Sequence, residues 1–436
     1  MALGGGTFVT QNKVLPGSYM NFVSAKRATA NLSDRGIVAM PFVSDWGKEG
    51  EVIEITQEKF QKEALKMLGY SYTHKNNMAF REVFRNATKI YAYRLNSGTT
   101  KATNTYATAV YGGTRGNKIS IAIQTNIDNS SKFDVKTMID NEVVDTQTVT
   151  NASELVANDF VTFKAEAQLT QTPNTPLTGG GNGTGKTGEN YKKFLEKIEP
   201  YSFNALCCNT DEQDIINLFV AFTKRMRDAM GVKFQTVAYR AENTDYEGVV
   251  SVENNLLNTQ EEYGLVYWVT GLIAGCAVNK SCLNSIYDGE YTVNTDYTQT
   301  QLEEAIQNGK FMLHKVGDDV RVLEDINTLV TITEEKGEIF KDNQTVRVID
   351  QIATDIATLF NTKYLGTIPN DASGRMSLWA DIVKHHQELQ DMRAIEDFTD
   401  EDVTVEQGDT KKSVVVTDAI TVTNTMAKLY MTVTVG

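Results

Sequence analysis

AKLYMTVTVG, residues 427–436 of this 436-residue chain, alternates apolar with polar side chains. A period of two residues is the signature of a β-strand with one buried face. The strand reaches the last residues of the sequence, so its exposed backbone groups can pair within their own domain or add to a sheet of a neighbouring molecule. The second arrangement makes polymers. The apolar face of the strand comprises Leu429, Met431, Val433 and Val435.

The beginning of the chain has a similar pattern. After the glycine-rich stretch GGGTFVTQN, residues 4–12, a short alternating segment SYMNFV spans residues 18–23. We expect this segment to behave like the first and to add to the same kind of sheet in another subunit. Its predicted contact residues are Tyr19, Met20, Phe22 and Val23.

Length and composition are those of a globular, multidomain protein. A chain of 436 residues is too long for one hydrophobic core, and we expect two to four domains. Apolar residues make up 41% and charged residues 22%, which argues against disorder over most of the length. The net charge of −14 predicts no nucleic-acid partner, because phosphate binding needs a basic surface.

No segment is expected to enter a membrane. The N-terminal sequence MALGGGTFVTQNKVLPGS lacks the apolar core of a signal peptide. The longest apolar run, residues 263–278, is shorter than the roughly 20 residues that span a bilayer, and its glycines favour a closely packed core helix. The four cysteines lack the paired spacing of metal ligands, which favours a reduced, cytoplasmic environment: Cys207, Cys208, Cys276 and Cys282.

The patterns along the chain predict a multidomain α+β or α/β fold. An α/β core domain is interrupted by a Thr/Asn-rich β-sandwich and is followed by an α+β C-terminal domain, with extended strand arms at both ends. The predicted boundaries are 1–30 for the N-terminal arm, 31–96 with 185–297 for the α/β domain, 97–184 for the inserted β-sandwich, 298–425 for the C-terminal domain and 426–436 for the C-terminal strand.

The stretch Gly180–Thr187, GGNGTGKT, fits the phosphate-loop pattern G-x4-G-K-[ST] at every fixed position. In a nucleotide hydrolase, Lys186 would reach the terminal phosphate and Thr187 would bind Mg²⁺. The preceding segment QLTQTPNTPLT, residues 168–178, has two prolines and no hydrophobic strand, and we expect the next helix only from Glu189 or Asn190. We therefore favour a domain-junction loop, with a nucleotide-binding enzyme as the alternative.

No catalytic constellation is found in the sequence. His385 and His386 are adjacent, and adjacent side chains of a helix point about 100° apart, so they cannot chelate a metal as an i, i+4 pair does. There is no nucleophile elbow and no cysteine–histidine signature. The sequence therefore predicts a protein that is not an enzyme and has no cofactor and no metal.

Three segments resemble contractile-tail sheath proteins: TQNKVLPGSYMNF at 10–22, VLEDINTL at 322–329, and KDNQTVRVIDQIATDIATLFNTKYLGTIPNDASGR at 341–375. The resemblance is to PBSX-like prophage tails and to phage-tail-like bacteriocins of Gram-positive bacteria. LTGGGNG at 177–183 also resembles the LxGGxxG loop that these proteins carry at the end of their inserted β-domain, which accounts for the phosphate-loop match without a nucleotide.

This resemblance implies a sheath subunit that is a homo-oligomer, stacked in rings around an inner tail tube. The N-terminal arm and the C-terminal strand would be donated into C-terminal domains of adjacent subunits. The extended sheath would be metastable and would contract on a signal from the baseplate, driving the tube through a cell envelope. Further partners would be the baseplate and tail terminator proteins. The subunit would be assembled in the bacterial cytoplasm and reside in a virion or bacteriocin tail, with the β-sandwich on the outer surface, where it is not needed for the lattice.

Overall fold

The fold is that of a multidomain α+β protein with an inserted β-sandwich, which confirms the predicted fold class. A computed structural model describes residues 34–257 and 259–435. In this part of the chain, one compact unit consists of residues up to 354 together with 389–398 and 420–435, and a second consists of residues 355–388 and 399–419. The predicted arm residues Tyr19, Met20, Phe22 and Val23 lie outside the described residues.

The first two stretches of secondary structure correspond to the start of the α/β domain and to the insertion. The first stretch contains β1 (Ile37–Phe42), β2 (Val52–Thr56), α1 (Gln57–Leu68), α2 (Met78–Val83) and β3 (Lys89–Arg94). The second contains β4 (Ala107–Ala109), β5 (Ile119–Thr125), β6 (Phe133–Ile139), β7 (Glu142–Val149), β8 (Val161–Phe163) and β9 (Thr172–Pro176).

The remaining elements complete the α/β domain and form the C-terminal region. After the insertion come α3 (Gly188–Ile198), β10 (Ala205–Cys208), α4 (Gln213–Lys224), β11 (Gln235–Tyr239), β12 (Val249–Val252), β13 (Leu256–Leu257), α5 (Leu265–Gly275), β14 (Thr292–Val293), α6 (Gln299–Gln307), β15 (Lys310–Phe311), β16 (Leu313–Val316) and β17 (Asp319–Val322). The last elements are α7 (Asn343–Leu359), α8 (Ala372–Asp391), β18 (Ile395–Glu396), β19 (Val403–Gln407), β20 (Val414–Asp418) and β21 (Thr421–Val422).

A seven-stranded sheet in the order β15-β12-β11-β10-β1-β3-β2 forms the centre of the larger unit. All neighbours are parallel except the edge strand β2, which is antiparallel to β3. The strands β10 and β1 at its centre are continuously apolar because both faces of the sheet are covered. Cys207 and Cys208 of β10 belong to the apolar clusters on opposite faces, as the alternation of a strand predicts.

The apolar run at 263–278 forms the core helix α5, as predicted. Leu265–Ala274 are all buried against one face of the sheet. The helix also approaches the end of α2 closely, because a Cβ at Gly271 would lie 2.4 Å from the Val83 carbonyl oxygen. No helix within residues 34–257 or 259–435 is long and apolar enough to cross a membrane.

The inserted β-sandwich packs the four-stranded sheet β7-β6-β5-β9 against the pair β4-β8. Residues 168–178 contain no hydrophobic strand, as expected, but a polar strand that the sequence did not predict, β9, occupies Thr172–Pro176. This strand is short, polar and at the sheet edge, and its pairing with β5 is irregular. Prolines such as Pro173 and Pro176 are tolerated at such an edge because no second neighbour needs their missing N–H.

Trp46, which follows β1, joins the sandwich to the α/β domain. Its ring is 1% exposed and packs edge-on against Tyr111 and beside Phe160 of the insertion. Its indole N–H donates to the Lys66 carbonyl of α1 at 3.0 Å. A side chain of the α/β domain is therefore part of the hydrophobic core of the sandwich, and removal of the sandwich would expose it.

The guanidinium of Arg94, at the end of β3, fixes the same junction. It donates to the carbonyls of Ser44 (3.0 Å), Gly47 (2.6 Å) and Gly112 (2.9 Å). A Cβ at Gly113 would overlap the Asp45 carbonyl, so the two chain segments approach as closely as backbone allows. The sandwich and the α/β domain are thus connected by a buried, hydrogen-bonded junction.

We expect Trp46→Ala to lower the free energy of unfolding by about 3–5 kcal/mol, because it leaves a cavity in the sandwich core where that core meets α1. Urea unfolding followed by circular dichroism measures this loss. Tyr201→Ala, at a partly exposed aromatic residue, is the control and should cost far less. A loss below about 1 kcal/mol for Trp46→Ala would contradict this packing of Trp46.

Candidate assembly interface

The last part of the chain is fixed to the larger unit up to Thr425. β21 pairs with β18 in an antiparallel ladder, and the Thr423 N–H donates to the Ala394 carbonyl at 3.0 Å. Gln344, a buried residue in the first turn of α7, then holds two backbone groups with one amide. Its Nε2 donates to the Thr423 carbonyl at 2.9 Å, and its Oε1 accepts from the Thr425 N–H at 3.1 Å.

From Met426 onward the chain leaves these contacts. We call residues 426–435 the C-terminal arm. None of its backbone groups is paired with another residue of the described chain, and it forms no strand there. Pairing of this segment within its own domain, one of the two options left by the sequence, is thus not seen among the described residues.

The four predicted contact residues of the arm are solvent-exposed. Their side chains are between 68% and 88% exposed, which is unusual for large apolar groups. They alternate with Tyr430, Thr432 and Thr434, so an extended arm presents them on one face. These four are Leu429, Met431, Val433 and Val435.

The smaller unit contains an isolated two-stranded sheet, β19-β20, with Val405 opposite Val416. The Gly408 N–H donates to the Ser413 carbonyl, and the Ala419 N–H donates to the Asp402 carbonyl, so these pairs are hydrogen-bonded. Bonded and non-bonded pairs alternate in an antiparallel ladder. The backbone groups of Val414, Val416 and Asp418 consequently point away from β19. In the described part of the chain they have no partner, which leaves β20 as an open strand edge.

Side chains of α8 hold this small sheet in place. Trp379 Nε1 donates to the Val403 carbonyl on the outer side of β19 at 2.9 Å. His386 Nε2 lies 2.9 Å from a carboxylate oxygen of Asp418 at the end of β20. Both strands are therefore fixed to one helix, and the edge of β19 is partly used while that of β20 is open.

The adjacent histidines are structural in this arrangement. His385 Nε2 lies 3.0 Å from Asp355, and His386 is bound to Asp418, so each ring is directed to a different aspartate. Within the described residues, no group of three or more His, Cys, Asp or Glu side chains is arranged to hold a metal ion.

The glycine-rich loop Gly180–Thr187 is the segment by which the chain leaves the β-sandwich, and it pairs with residues 97–100, by which the chain enters it. Three of its amides are already engaged: Gly180 donates to Asn117 Oδ1, Gly181 to the Thr100 carbonyl and Thr184 to the Ser97 carbonyl. A phosphate cradle needs such amides free and convergent. The loop leads from the sandwich edge into α3 and does not follow a strand of the parallel sheet.

Lys186 also has protein partners in place of a phosphate. Its ammonium lies 3.3 Å from a carboxylate oxygen of Glu261 and donates to the hydroxyl of Tyr263. Burial, followed by the Glu261 charge, raises the pKa of Tyr263, so this hydroxyl stays neutral. Thr187 caps α3 by accepting from the Asn190 N–H. The helix begins at Gly188, one residue before the expected start at Glu189.

Sequence reasoning located the arm but missed its attachment and the open edge. Gln344 lies within the segment KDNQTVRVID, where its polarity before an amphipathic helix indicates only a helix start. Val416 belongs to the run VVV, which predicts a strand without showing which edge is covered. Both roles depend on contacts between distant segments.

Four family models match successive parts of the chain. They describe the tail sheath protein Gp18 domain III N-terminal region (residues 35–95), the phage tail sheath protein beta-sandwich domain (96–182), the phage tail sheath protein central domain (184–328) and the phage tail sheath C-terminal domain (335–436).

Individual proteins are similar over most of the chain. The phage-like element PBSX protein XkdK of Bacillus subtilis is 33% identical, and the match covers 100% of both chains. The crystal structure of a sheath tail protein from Desulfitobacterium hafniense has a TM-score of 0.79 at 35% identity, covering 90% of this chain and 93% of that one. The contracted helical sheath of the anti-feeding prophage has the same fold, with a TM-score of 0.56 at 11% identity, covering 97% and 99%.

Lys186→Ala should leave the fold intact and cost less than about 1 kcal/mol, because it removes one exposed ion pair. Asn117→Ala should cost more, since it leaves both the N–H and the carbonyl of Gly180 without their side-chain partner. Thermal melting compares the two variants, and calorimetric titration with ATP and Mg²⁺ should give no heat of binding. Nucleotide binding that Lys186→Ala abolishes would restore the phosphate-loop alternative.

Proposed function

Because the chain belongs to the phage tail sheath family, we propose that it is the repeating subunit of a contractile sheath, polymerised around an inner tail tube and held together by exchanged strands. The baseplate and a tail terminator protein would be its further partners. The assembled sheath would contract from a metastable extended state and drive the tube through a cell envelope. The subunit would be assembled in the bacterial cytoplasm and act in a virion or bacteriocin tail, where contraction serves genome ejection or envelope perforation.

The C-terminal arm carries this proposal. A ten-residue segment with four exposed apolar side chains on one face, and with no backbone partner in the described chain, is poorly suited to water. An extended segment of this length reaches about 33 Å, enough to cross to an adjacent molecule. Adding it to a sheet there pairs its backbone and buries its apolar face in one step.

The open edge of β20 is the acceptor that the structure offers. A two-stranded sheet is only marginally stable by itself, and an added strand supplies a third ladder. Val416 presents its N–H and carbonyl to this edge, and its side chain is still 39% exposed. In the sheath, the arm of one subunit would therefore extend the β19-β20 sheet of its neighbour.

Strand exchange suits a machine that contracts without fuel. Pulling a strand along its sheet breaks many hydrogen bonds together, whereas each domain can rotate as a rigid body about the connection to its arm. The free energy would be stored when subunits polymerise in the less favourable extended lattice. Contraction would then increase the contact between subunits that are already folded. The anti-feeding prophage protein, which has the same fold, was solved as a helical sheath in its contracted state, and this supports the proposal.

Removal of residues 427–436 should give a folded chain that does not form tubes. The arm makes no described backbone contact beyond Thr425, so its loss should not unfold the domain. Electron microscopy scores the polymer, while circular dichroism and thermal melting check the fold. A truncated chain that still assembles into normal tubes would refute strand donation. A truncated chain that unfolds would show that the arm pairs within its own domain.

A matched pair of variants tests which face of the arm is buried. Met431→Asp with Val433→Asp should abolish tubes, because each lost apolar contact costs roughly 2–4 kcal/mol and a buried carboxylate adds to this. Thr432→Asp with Thr434→Asp adds the same charge to the opposite face and should weaken assembly much less. Equal effects of the two pairs on tube formation would contradict a strand with one buried face.

Val416→Pro tests the acceptor edge. Proline removes the outward N–H that an added strand would use, while the ladder between β19 and β20 does not depend on it. We expect a folded chain without tubes, whereas Val416→Thr should keep the backbone and still polymerise. Assembly of Val416→Pro, combined with failure of Val405→Pro, would assign the donated C-terminal arm to the edge of β19 and overturn this placement.

A further inference from the structure

The sheet of β19 and β20 in the smaller unit has one packed face and one exposed face. Val403 of β19 is buried, and Asp418 opposite to it is bound to His386 of α8, so this face is directed to the helix. Val414 and Val416 share this face with Asp418, because side chains alternate along a strand. The same residues direct their backbone groups outward at the open edge of β20.

This arrangement determines which residues of a donated arm can lie beside them. Residues that lie side by side on neighbouring strands direct their side chains to the same face of a sheet. The outward residues of β20 have even numbers, and the apolar residues of the arm have odd numbers. Odd residues of the arm must therefore lie beside even residues of β20, since a shift by one residue would turn the apolar face of the arm to solvent.

A cavity of about 610 Å³ adjoins this edge where β20 begins. Leu365 and Ile368 at the cavity are exposed in the described chain. An apolar side chain that an added strand carries past Val414 would cover them. Val414 lines the cavity together with apolar residues from α8 and from the segment between α7 and α8: Phe360, Tyr364, Leu365, Ile368 and Leu378.

The two ends of this sheet differ in charge. At the turn between the strands, the cavity is lined by Arg375, Lys411 and Lys412 and by no carboxylate of the described chain. At the opposite end lie Asp418 and the acidic turn Asp400–Asp402, which directly precedes β19. The sheet thus presents a cationic end and an acidic end along one open edge.

Nearby groups of opposite sign reduce this difference without removing it. At the cationic end, Asp409 lies in the turn itself, and Asp371 accepts from the Gly374 N–H at the start of α8. At the acidic end, His386 binds Asp418, but the three carboxylates of residues 400–402 remain. The difference in charge between the two ends is therefore preserved.

The arm has a charge at one end only. Lys428 is its single charged side chain, and residues 429–435 have none. If the arm ran parallel to β20, Lys428 would lie at the cationic end, beside Lys411 and Lys412, where like charges repel. If the arm ran antiparallel, Lys428 would lie at the acidic turn. Charge complementarity therefore favours the antiparallel direction.

We propose that the C-terminal arm of one subunit adds antiparallel to β20 of its neighbour, with Met431 beside Val416. Val433 then lies beside Val414, and each outward residue of β20 has an apolar neighbour in the arm. This arrangement rests on the proposed strand exchange and adds to it the direction and the register of the donated strand.

Both ends of the arm then meet matching surfaces. Lys428 lies beside Ala419, whose N–H donates to the Asp402 carbonyl at 3.1 Å, and so reaches the acidic turn. At the other end, Val435 passes Val414 and lies at the apolar cavity. The cations around that cavity meet only uncharged side chains of the arm.

Cysteine cross-linking in assembled tubes measures the direction. Opposite residues of a hydrogen-bonded antiparallel pair have Cα atoms about 5.5 Å apart, which a disulfide can bridge. Val414→Cys is combined in one chain with Val433→Cys or, as the matched control, with Leu429→Cys, which would lie beside it in a parallel arrangement. Oxidation with copper phenanthroline should convert the first variant into a ladder of covalent oligomers on a denaturing gel and leave the second monomeric.

The outcomes separate the direction from the strand exchange itself. Val414→Cys alone controls for the four native cysteines and should give no ladder. A ladder through Leu429→Cys in place of Val433→Cys would overturn the antiparallel direction, and tubes in which neither pair cross-links would overturn the register. Electron microscopy scores tube formation before oxidation. A wild-type chain that forms no tubes would contradict the proposed function, and the arrangement of the arm would fail with it.

An exchange of charges tests the same direction if the cysteine variants do not assemble. Lys428→Glu should raise the critical concentration for tube formation roughly two- to fivefold, the effect of one exposed ion pair. Adding Glu401→Lys should reverse this increase, whereas adding Lys411→Glu should not. A critical concentration that Lys428→Glu lowers or leaves unchanged at low salt would overturn the proposed alignment of charges.

Discussion

Backbone N–H and carbonyl groups must be paired when water is excluded, and under the proposed strand exchange this constraint would connect the subunit to the polymer. In the central sheet the requirement is met internally, because each interior strand has neighbours on both sides. In the C-terminal arm and along the outer edge of β20, the same groups have no partner in the described chain. The arm of one copy could pair its backbone groups with those along the β20 edge of a second copy.

The base of the arm is held firmly, as strand donation would require. The amide of Gln344 binds the backbone on both sides of Asn424, and the β18-β21 ladder precedes it. A load on the arm would therefore be carried into α7 through hydrogen bonds to a buried side chain. The β19-β20 sheet, which we propose as the acceptor, has a corresponding support, because Trp379 and His386 bind one strand each.

The inserted β-sandwich is joined to the α/β domain by a different means. Trp46, which follows β1, is part of the sandwich core, and Arg94 donates to three carbonyls from two chain segments. Buried donors without partners are costly, so these contacts resist separation of the two parts. The sandwich and the α/β domain thus form a continuous structure at this junction, a contact that the sequence did not predict.

The sequence by itself determined the fold class, the core helix α5, the β-sandwich strands with one buried face and the exposed apolar pattern of the arm, because these follow from local periodicity. It missed the proline-containing strand β9, whose position at a sheet edge is a tertiary property. The phosphate-loop pattern at Gly180–Thr187 was likewise ambiguous until the structure showed three of its amides bound to the segment that enters the sandwich, residues 97–117. Only the tertiary structure decided the roles of Gln344 and Val416, because each depends on residues more than 50 positions away or on which strand edge remains uncovered.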